Sequence, residues 1–136
     1  MRFLVGEKIT SFNAVKMAEN NYVEITEDKA IITLTFEDGS IGSIHYFANG
    51  GKAFPKERIE VFCDDAVLQL DNFRKLTGHG WKGFSKLNLW SQDKGQVSCS
   101  KAFMDAVKKG GQSPIPQDEI FEVARVSVDI AEQLRN

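Results

Sequence analysis

The run from Ala30 to Phe73, AIITLTFEDGSIGSIHYFANGGKAFPKERIEVFCDDAVLQLDNF, decides the fold. Stretches rich in Ile, Thr, Val and Phe alternate with turn residues, the pattern of two hairpins joined by a polar, glycine-rich loop. Asp38-Gly39 suits the positive φ values of a two-residue type I′ turn. Such a turn sets Glu37 opposite Ser40, Phe36 opposite Ile41, Leu34 opposite Ser43 and Ile32 opposite His45. Opposed residues share a sheet face. Ile32, Leu34, Phe36, Ile41, His45 and Phe47 are therefore predicted on one face. Ile31, Thr33, Thr35, Gly42, Ile44 and Tyr46 are predicted on the other. The second hairpin turns at Asp64-Asp65. It sets Val61 opposite Leu68, Ile59 opposite Leu70, Glu60 opposite Gln69 and Arg58 opposite Asp71. One of its faces is apolar and the other polar apart from Phe62 and Val67, as in an antiparallel sheet covered on one side.

Outward from this stretch, Ile9 to Met17 alternates weakly and predicts a first strand. The polar segment from Ala18 to Asp28 offers turns at Asn20-Asn21 and Glu27-Asp28. Ahead of both, Phe3, Leu4 and Val5 read as the tail of an earlier element, which implies sequence missing upstream. After the core, a third hairpin is expected around Thr77-Gly78-His79-Gly80, returning through Lys82 to Trp90. From Gln96 to Lys109 the period becomes helical, with Cys99, Ala102, Phe103 and Ala106 on one side. Gly110-Gly111 ends that helix, and Lys108 and Lys109 suit its negative end. Pro116 opens a second helix to about Leu134, whose apolar stripe is predicted as Ile120, Val123, Ala124, Ser127, Ala131 and Leu134. Strands followed by helices predict a single α+β domain over residues 1–136. Its expected form is a predominantly antiparallel, open-faced β-sheet with the two C-terminal helices packed on one face. The uncovered face, with Ile31, Ile44 and Tyr46 exposed, is expected to be an interface between copies.

Composition narrows the function classes. The 136 residues are 42% hydrophobic and 26% charged, with a net charge of -2, an ordinary soluble balance without the basic excess of a nucleic-acid or membrane-surface binder. No apolar run reaches the roughly 20 residues of a membrane span, and the N-terminus lacks a signal-peptide pattern. Cys63 and Cys99 belong to no CxxC pair and are read as reduced structural residues of a cytoplasmic protein.

Three short pieces carry a resemblance: Phe36-Glu37-Asp38-Gly39-Ser40, Pro55-Lys56-Glu57-Arg58-Ile59-Glu60-Val61 and Asp93-Lys94-Gly95. In this order and spacing, with KAFMDAVKKGGQSPIPQDEI behind them, the chain from about Ile9 to Leu134 resembles the C-terminal half of the glucose–fructose oxidoreductase / inositol dehydrogenase / MocA (Gfo/Idh/MocA) family. The nearest branch is that of sugar and sugar-nucleotide dehydrogenases. The resemblance implies a parent with an N-terminal Rossmann domain that binds NAD or NADP. The present chain would supply part of the substrate pocket and the subunit contacts. No G-x-G-x-x-G follows a strand here, and Gly78, Gly80 and Gly83 fall in a hairpin. The family's Glu-Lys-Pro lysine has no counterpart, because Lys56 follows Pro55 and precedes Glu57. The chain alone is therefore expected to hold no cofactor and to catalyse nothing.

Candidate substrate residues cluster in and beside the loop Ala48 to Lys56. Lys52, Lys56 and Arg58 suit a phosphate or carboxylate, and Asn49 suits sugar hydroxyls. The alternative is that Arg58 pairs with Asp71 while the lysines are merely solvated. His45 is either a hydrogen-bonded core histidine or a pocket residue, the latter making a small enzyme conceivable. His79 reads as a solvated turn residue, and neither histidine has the further ligands of a metal site. Trp81 and Trp90 suit packing, subunit contact or stacking on a sugar ring. A different class stays open as well: a stand-alone, non-enzymatic α+β module that binds a ligand or partner.

Overall fold

The computed structural model describes residues 1–18 and 28–136. The turns expected at Asn20-Asn21 and at Glu27 lie outside the described residues. The chain forms an α+β structure with two antiparallel sheets, of three and four strands, and two C-terminal helices. It divides into two compact units, Met1–Gly50 with Gly110–Asn136, and Gly51–Lys109.

The first unit holds α1 (Arg2–Val5), β1 (Ile9–Lys16), β2 (Lys29–Phe36), β3 (Ile41–Phe47) and α3 (Gln117–Arg135), with strand order β1-β2-β3. Its register departs from the two-residue turn. Thr35 faces Ile41, Thr33 faces Ser43 and Ile31 faces His45. The loop has three residues, Glu37-Asp38-Gly39. Phe36 N–H donates to Ser40 O at 2.9 Å, and Gly39 N–H donates back to Phe36 O at 3.0 Å. Only Gly39, at φ 84°, enters the left-handed region. This is a type I turn closed by a glycine bulge rather than type I′. Asp38 secures it by accepting from Ser40 N–H and Ser40 Oγ at 2.9 and 2.8 Å. These bonds, the backbone one first, hold the Asp38 carboxyl below its ordinary pKa.

A slip of one residue exchanges the faces of β3. Gly42, Ile44 and Tyr46 join Ile32, Leu34 and Phe36 on the α3 side, while Ile41, His45 and Phe47 lie with Ile31, Thr33 and Thr35 on the outer side. His45 is thus exposed on the threonine-rich face, not in the core. The core is Ala14, Ala30, Leu34 and Phe36 from the sheet, with Val126, Ile130 and Leu134 from α3. Phe36 is 2% exposed. The helix lies along β1, so Ile44 and Tyr46 on β3 remain exposed even though they share its side.

Helix α3 also presents a different stripe from the predicted one. Val126, Ile130 and Leu134 are buried, whereas Ile120 and Val123 are exposed together with Phe121 and Val128. An ionic clasp selects the buried side. Arg2, 9% exposed, places Nε 3.2 Å from Glu122 Oε2 and Nη2 3.7 Å from Glu119 Oε1. Glu122 Oε1 accepts from Ile9 N–H at 2.6 Å. Burial raises the Glu122 pKa, but the Ile9 N–H and the Arg2 guanidinium outweigh it, and the net shift is downward from 4.5.

The second unit holds β4 (Arg58–Cys63), β5 (Ala66–Asp71), β6 (Lys75–His79), β7 (Lys86–Asn88) and α2 (Gln96–Lys109). The β4–β5 register is the predicted one, Arg58 to Asp71 and Val61 to Leu68, with Asp64 and Asp65 at φ 53° and 60°. A further turn of three residues, Asn72-Phe73-Arg74, separates the paired Asp71 and Lys75, with Asn72 and Phe73 at φ 51° and 50°. The third hairpin turns later than expected: β6 continues through His79, and Gly80 at φ 74° begins the loop to β7. A side chain at Gly80 would stand 2.9 Å from Asp65 O. No residue of this unit is fully buried, and α2 buries none of its residues. The expectation that both helices would cover one sheet is corrected accordingly: α3 packs on the three-stranded sheet, and α2 is exposed.

Two outcomes follow. Because the folded-state Glu122 pKa is depressed, its contribution is complete above the unfolded glutamate pKa and is lost as pH falls through the folded-state value. Glu122→Gln should cost about 2 kcal/mol at neutral pH, and urea titrations should show the gap from wild type closing as pH falls below that range. Asp65→Gly, which places glycine in a left-handed position, should stabilise the β4–β5 hairpin by about 0.5–1 kcal/mol, read as slower amide exchange in β4 and β5.

Candidate functional site

The polar residues that the sequence marks out belong to different units. His45 and Asn49 lie in the first, on β3 and in the turn after it. Lys52, Lys56 and Arg58 lie in the second, on its entry loop and at the start of β4. His45 meets Phe47 edge to face at 6.2 Å, both on the outer side of the sheet. Lys52 and Lys56 are exposed and form no hydrogen bond or ion pair with any described residue. Arg58 Nε donates to Asp71 Oδ1 at 2.9 Å across the hairpin. Gln69 Nε2 donates to the other oxygen at 3.0 Å. The Gln69 bond first, then Arg58, holds the Asp71 carboxyl below its ordinary pKa. Arg58 is therefore engaged within its own sheet.

The best-ordered polar cluster surrounds the Asn72-Phe73 turn. A phenylalanine in left-handed backbone is sterically unfavourable, and neighbouring residues grip the turn from both sides. Asn72 N–H donates to Glu57 O at 2.7 Å, and Asp93 N–H donates to Phe73 O at 2.9 Å. Gln92 Nε2 donates to Asn72 O at 3.0 Å and Asn72 Oδ1 at 2.9 Å. Lys94 Nζ lies 2.5 Å from Glu57 Oε1 and 5.6 Å from the centre of the Phe73 ring. Two of the three pieces that carry the family resemblance, Pro55–Val61 and Asp93–Gly95, thus meet through Glu57 and Lys94. The second Glu57 oxygen is buried without a partner, as is Trp81 Nε1.

Sequence reasoning missed this cluster because a phenylalanine gives no turn signal. The available clue was Gln92-Asp93-Lys94-Gly95, a polar run too long for a simple helix cap. Cys63 and Cys99 are free and exposed, which corrects their reading as structural. His79 is exposed at the end of β6. Among the described residues no group of three or more His, Cys, Asp or Glu could hold a metal ion, and no helix is long and apolar enough to cross a membrane. The one strand-to-helix connection among them, from β7 to α2, carries a single glycine, Gly95. No family model, curated protein or solved structure matches the chain.

Lys94→Ala would leave Glu57 Oε1 without its cation and Phe73 without its cover. Amide exchange at Asn72 and Asp93 should accelerate by roughly tenfold, while exchange in β1 and β2 stays unchanged.

Proposed function

We propose that this chain is the C-terminal substrate-binding and oligomerisation part of an NAD(P)-dependent oxidoreductase of the Gfo/Idh/MocA type. The parent would act on a sugar or sugar nucleotide, with the dinucleotide on a Rossmann half outside this sequence. The observation that carries the reading is the meeting of two family-like pieces at Glu57 and Lys94. The α+β order, with antiparallel sheets first and helices last, agrees with it. So does the outer side of the three-stranded sheet, where Val15, Ile31, Ile41 and Phe47 are exposed and where homo-oligomer contacts would form.

Within this reading Lys52 and Lys56 are the anion-binding groups, because their ammonium groups are uncommitted while Arg58 is held by Asp71. The chain derives no hydride step of its own, since the nucleotide-binding residues lie elsewhere.

The reading frame upstream of Met1 supplies the test. It should encode a strand, a G-x-G-x-x-G turn and a helix, and the intact product should bind NAD(H) or NADP(H). In that product Lys52→Ala/Lys56→Ala should raise KM for a phosphorylated or nucleotide-linked sugar about tenfold and leave KM for its uncharged analogue unchanged. A frame opening at Met1, with no dinucleotide binding by the natural protein, would favour a stand-alone binding module instead.

A further inference from the structure

Two pairs in the chain set a side-chain carbonyl directly before a glycine nitrogen, Asp38-Gly39 and Asn49-Gly50. In such a pair the glycine nitrogen can attack the preceding Cγ and close a five-membered imide. The attack is intramolecular, so its effective concentration is high. Glycine has no Cβ to obstruct it and lets the backbone reach the required geometry. The structure treats the two pairs differently.

Asp38-Gly39 is engaged at both reacting atoms. The Asp38 carboxylate accepts from Ser40 N–H and Ser40 Oγ at 2.9 and 2.8 Å, and these bonds hold its pKa below the ordinary value. Gly39 N–H donates to Phe36 O at 3.0 Å. An ionised carboxylate is a poor electrophile, and a nitrogen whose proton is held by an acceptor is a poor nucleophile.

Asn49-Gly50 is free at both. It lies in the turn after β3, within a run from Ser43 to Lys56 that is exposed throughout. Neither the Asn49 side-chain amide nor the Gly50 N–H forms a hydrogen bond with any described residue. The other described asparagines inside the chain are held. Asn13 stands in β1 ahead of the buried Ala14. Asn72 Oδ1 accepts from Gln92, and the bulky Phe73 follows it. Asn88 precedes Leu89, whose N–H donates to Arg74 O at 2.9 Å.

We propose that Asn49-Gly50 is a site of spontaneous covalent modification, at which the Asn49 amide is converted through a cyclic imide to aspartyl and isoaspartyl forms. The Gly50 nitrogen loses its proton to hydroxide and bonds to Asn49 Cγ. The Cγ–Nδ2 bond breaks, and the nitrogen leaves as ammonia with a proton from water. Water then adds to either imide carbonyl and opens the ring. The net change is water in and ammonia out, with no oxidation or reduction. Each product places a carboxylate three residues before Lys52. The isoaspartyl form also carries the main chain through Cβ, lengthening it by one methylene where it passes from the unit ending at Gly50 to the one starting at Gly51. The proposal does not rest on the proposed enzymatic parentage.

Peptide mapping of the purified chain, incubated at neutral pH, tests it, with a free peptide of residues 44–54 as the positive control. The fragment containing Asn49 should gain the mass difference of an acid over an amide and split into two forms, the isoaspartyl one located by fragmentation. Asn72 and Asn88 should stay amides over the same period, and Asp38 should stay a normal aspartyl. Conversion should quicken by about tenfold per pH unit between about pH 6 and about pH 8, because only the deprotonated nitrogen attacks. Gly50→Ala puts a Cβ 3.7 Å from Phe47 O, an ordinary contact, and should slow conversion at least about tenfold with an unchanged circular dichroism spectrum. An Asn49 fragment that keeps its mass overturns the proposal. So does equal conversion in Gly50→Ala, or isoaspartate accumulating at Asp38 as fast as at Asn49, which would show that the hydrogen bonds do not discriminate between the two pairs.

Discussion

The three-residue loop Glu37-Asp38-Gly39 is the constraint on which the first unit depends. Side chains in a strand alternate, so the loop length decides which half of β3 faces the helix. With Gly39 in the left-handed region and Asp38 bonded to Ser40, the pairing sum places Gly42 and Ile44 beside Leu34 and Ile32. Gly42 leaves room there, and the Met1 side chain fills the space a Cβ would take. The opposite choice would drive His45 toward the core and leave its imidazole to find a partner among aliphatic groups. The loop therefore avoids a buried polar group while it sets the register.

Given that register, the helix must set its rotation about its own axis. Apolar residues also lie on its far side, Phe121 and Val128 opposite Val126, Ile130 and Leu134, and the charges fix which side is buried. Glu122 and Glu119 sit on the inner side, where Arg2 and the Ile9 N–H receive them. Turning α3 to bury Phe121 and Val128 instead would part Glu122 from both partners and leave the Arg2 charge unmatched. Gln133 adds a weaker tie to Ala14 O at 3.3 Å. Apolar burial thus supplies the drive, and a buried ion pair supplies the orientation, a division of labour in which polar groups specify more than they stabilise.

The same physics explains what the sequence discloses. The β4–β5 register is readable because Asp64-Asp65 permits a single short turn between unambiguous apolar faces. The limits of α2, Gln96–Lys109, are readable because a helical period stops at glycine. The first hairpin is not readable, since Asp-Gly serves equally in a two-residue turn and as the end of a three-residue loop. The Asn72-Phe73 turn is hidden because its stability comes from Glu57, Gln92, Asp93 and Lys94 rather than from its own residues. The buried stripe of α3 is hidden because its selection rests on Arg2, about 120 residues away in the chain. Of the candidate site residues, the Arg58–Asp71 pair follows from the register, but no pattern of residues foretells that His45 would be exposed.

This also bears on what a family resemblance carries. Glu57, Lys94 and Asp93 belong to the pieces that prompt the comparison, and in the structure they grip a strained turn. Asp38 and Ser40, from the first piece, close a hairpin. Motif residues so engaged are scaffold, and a likeness built on scaffold argues for shared architecture before shared chemistry. Lys52, Lys56 and Trp90, outside those motifs or at their edge, are exposed. The motifs hold the turns and the hairpin in place, and such scaffolding is consistent with several different functions.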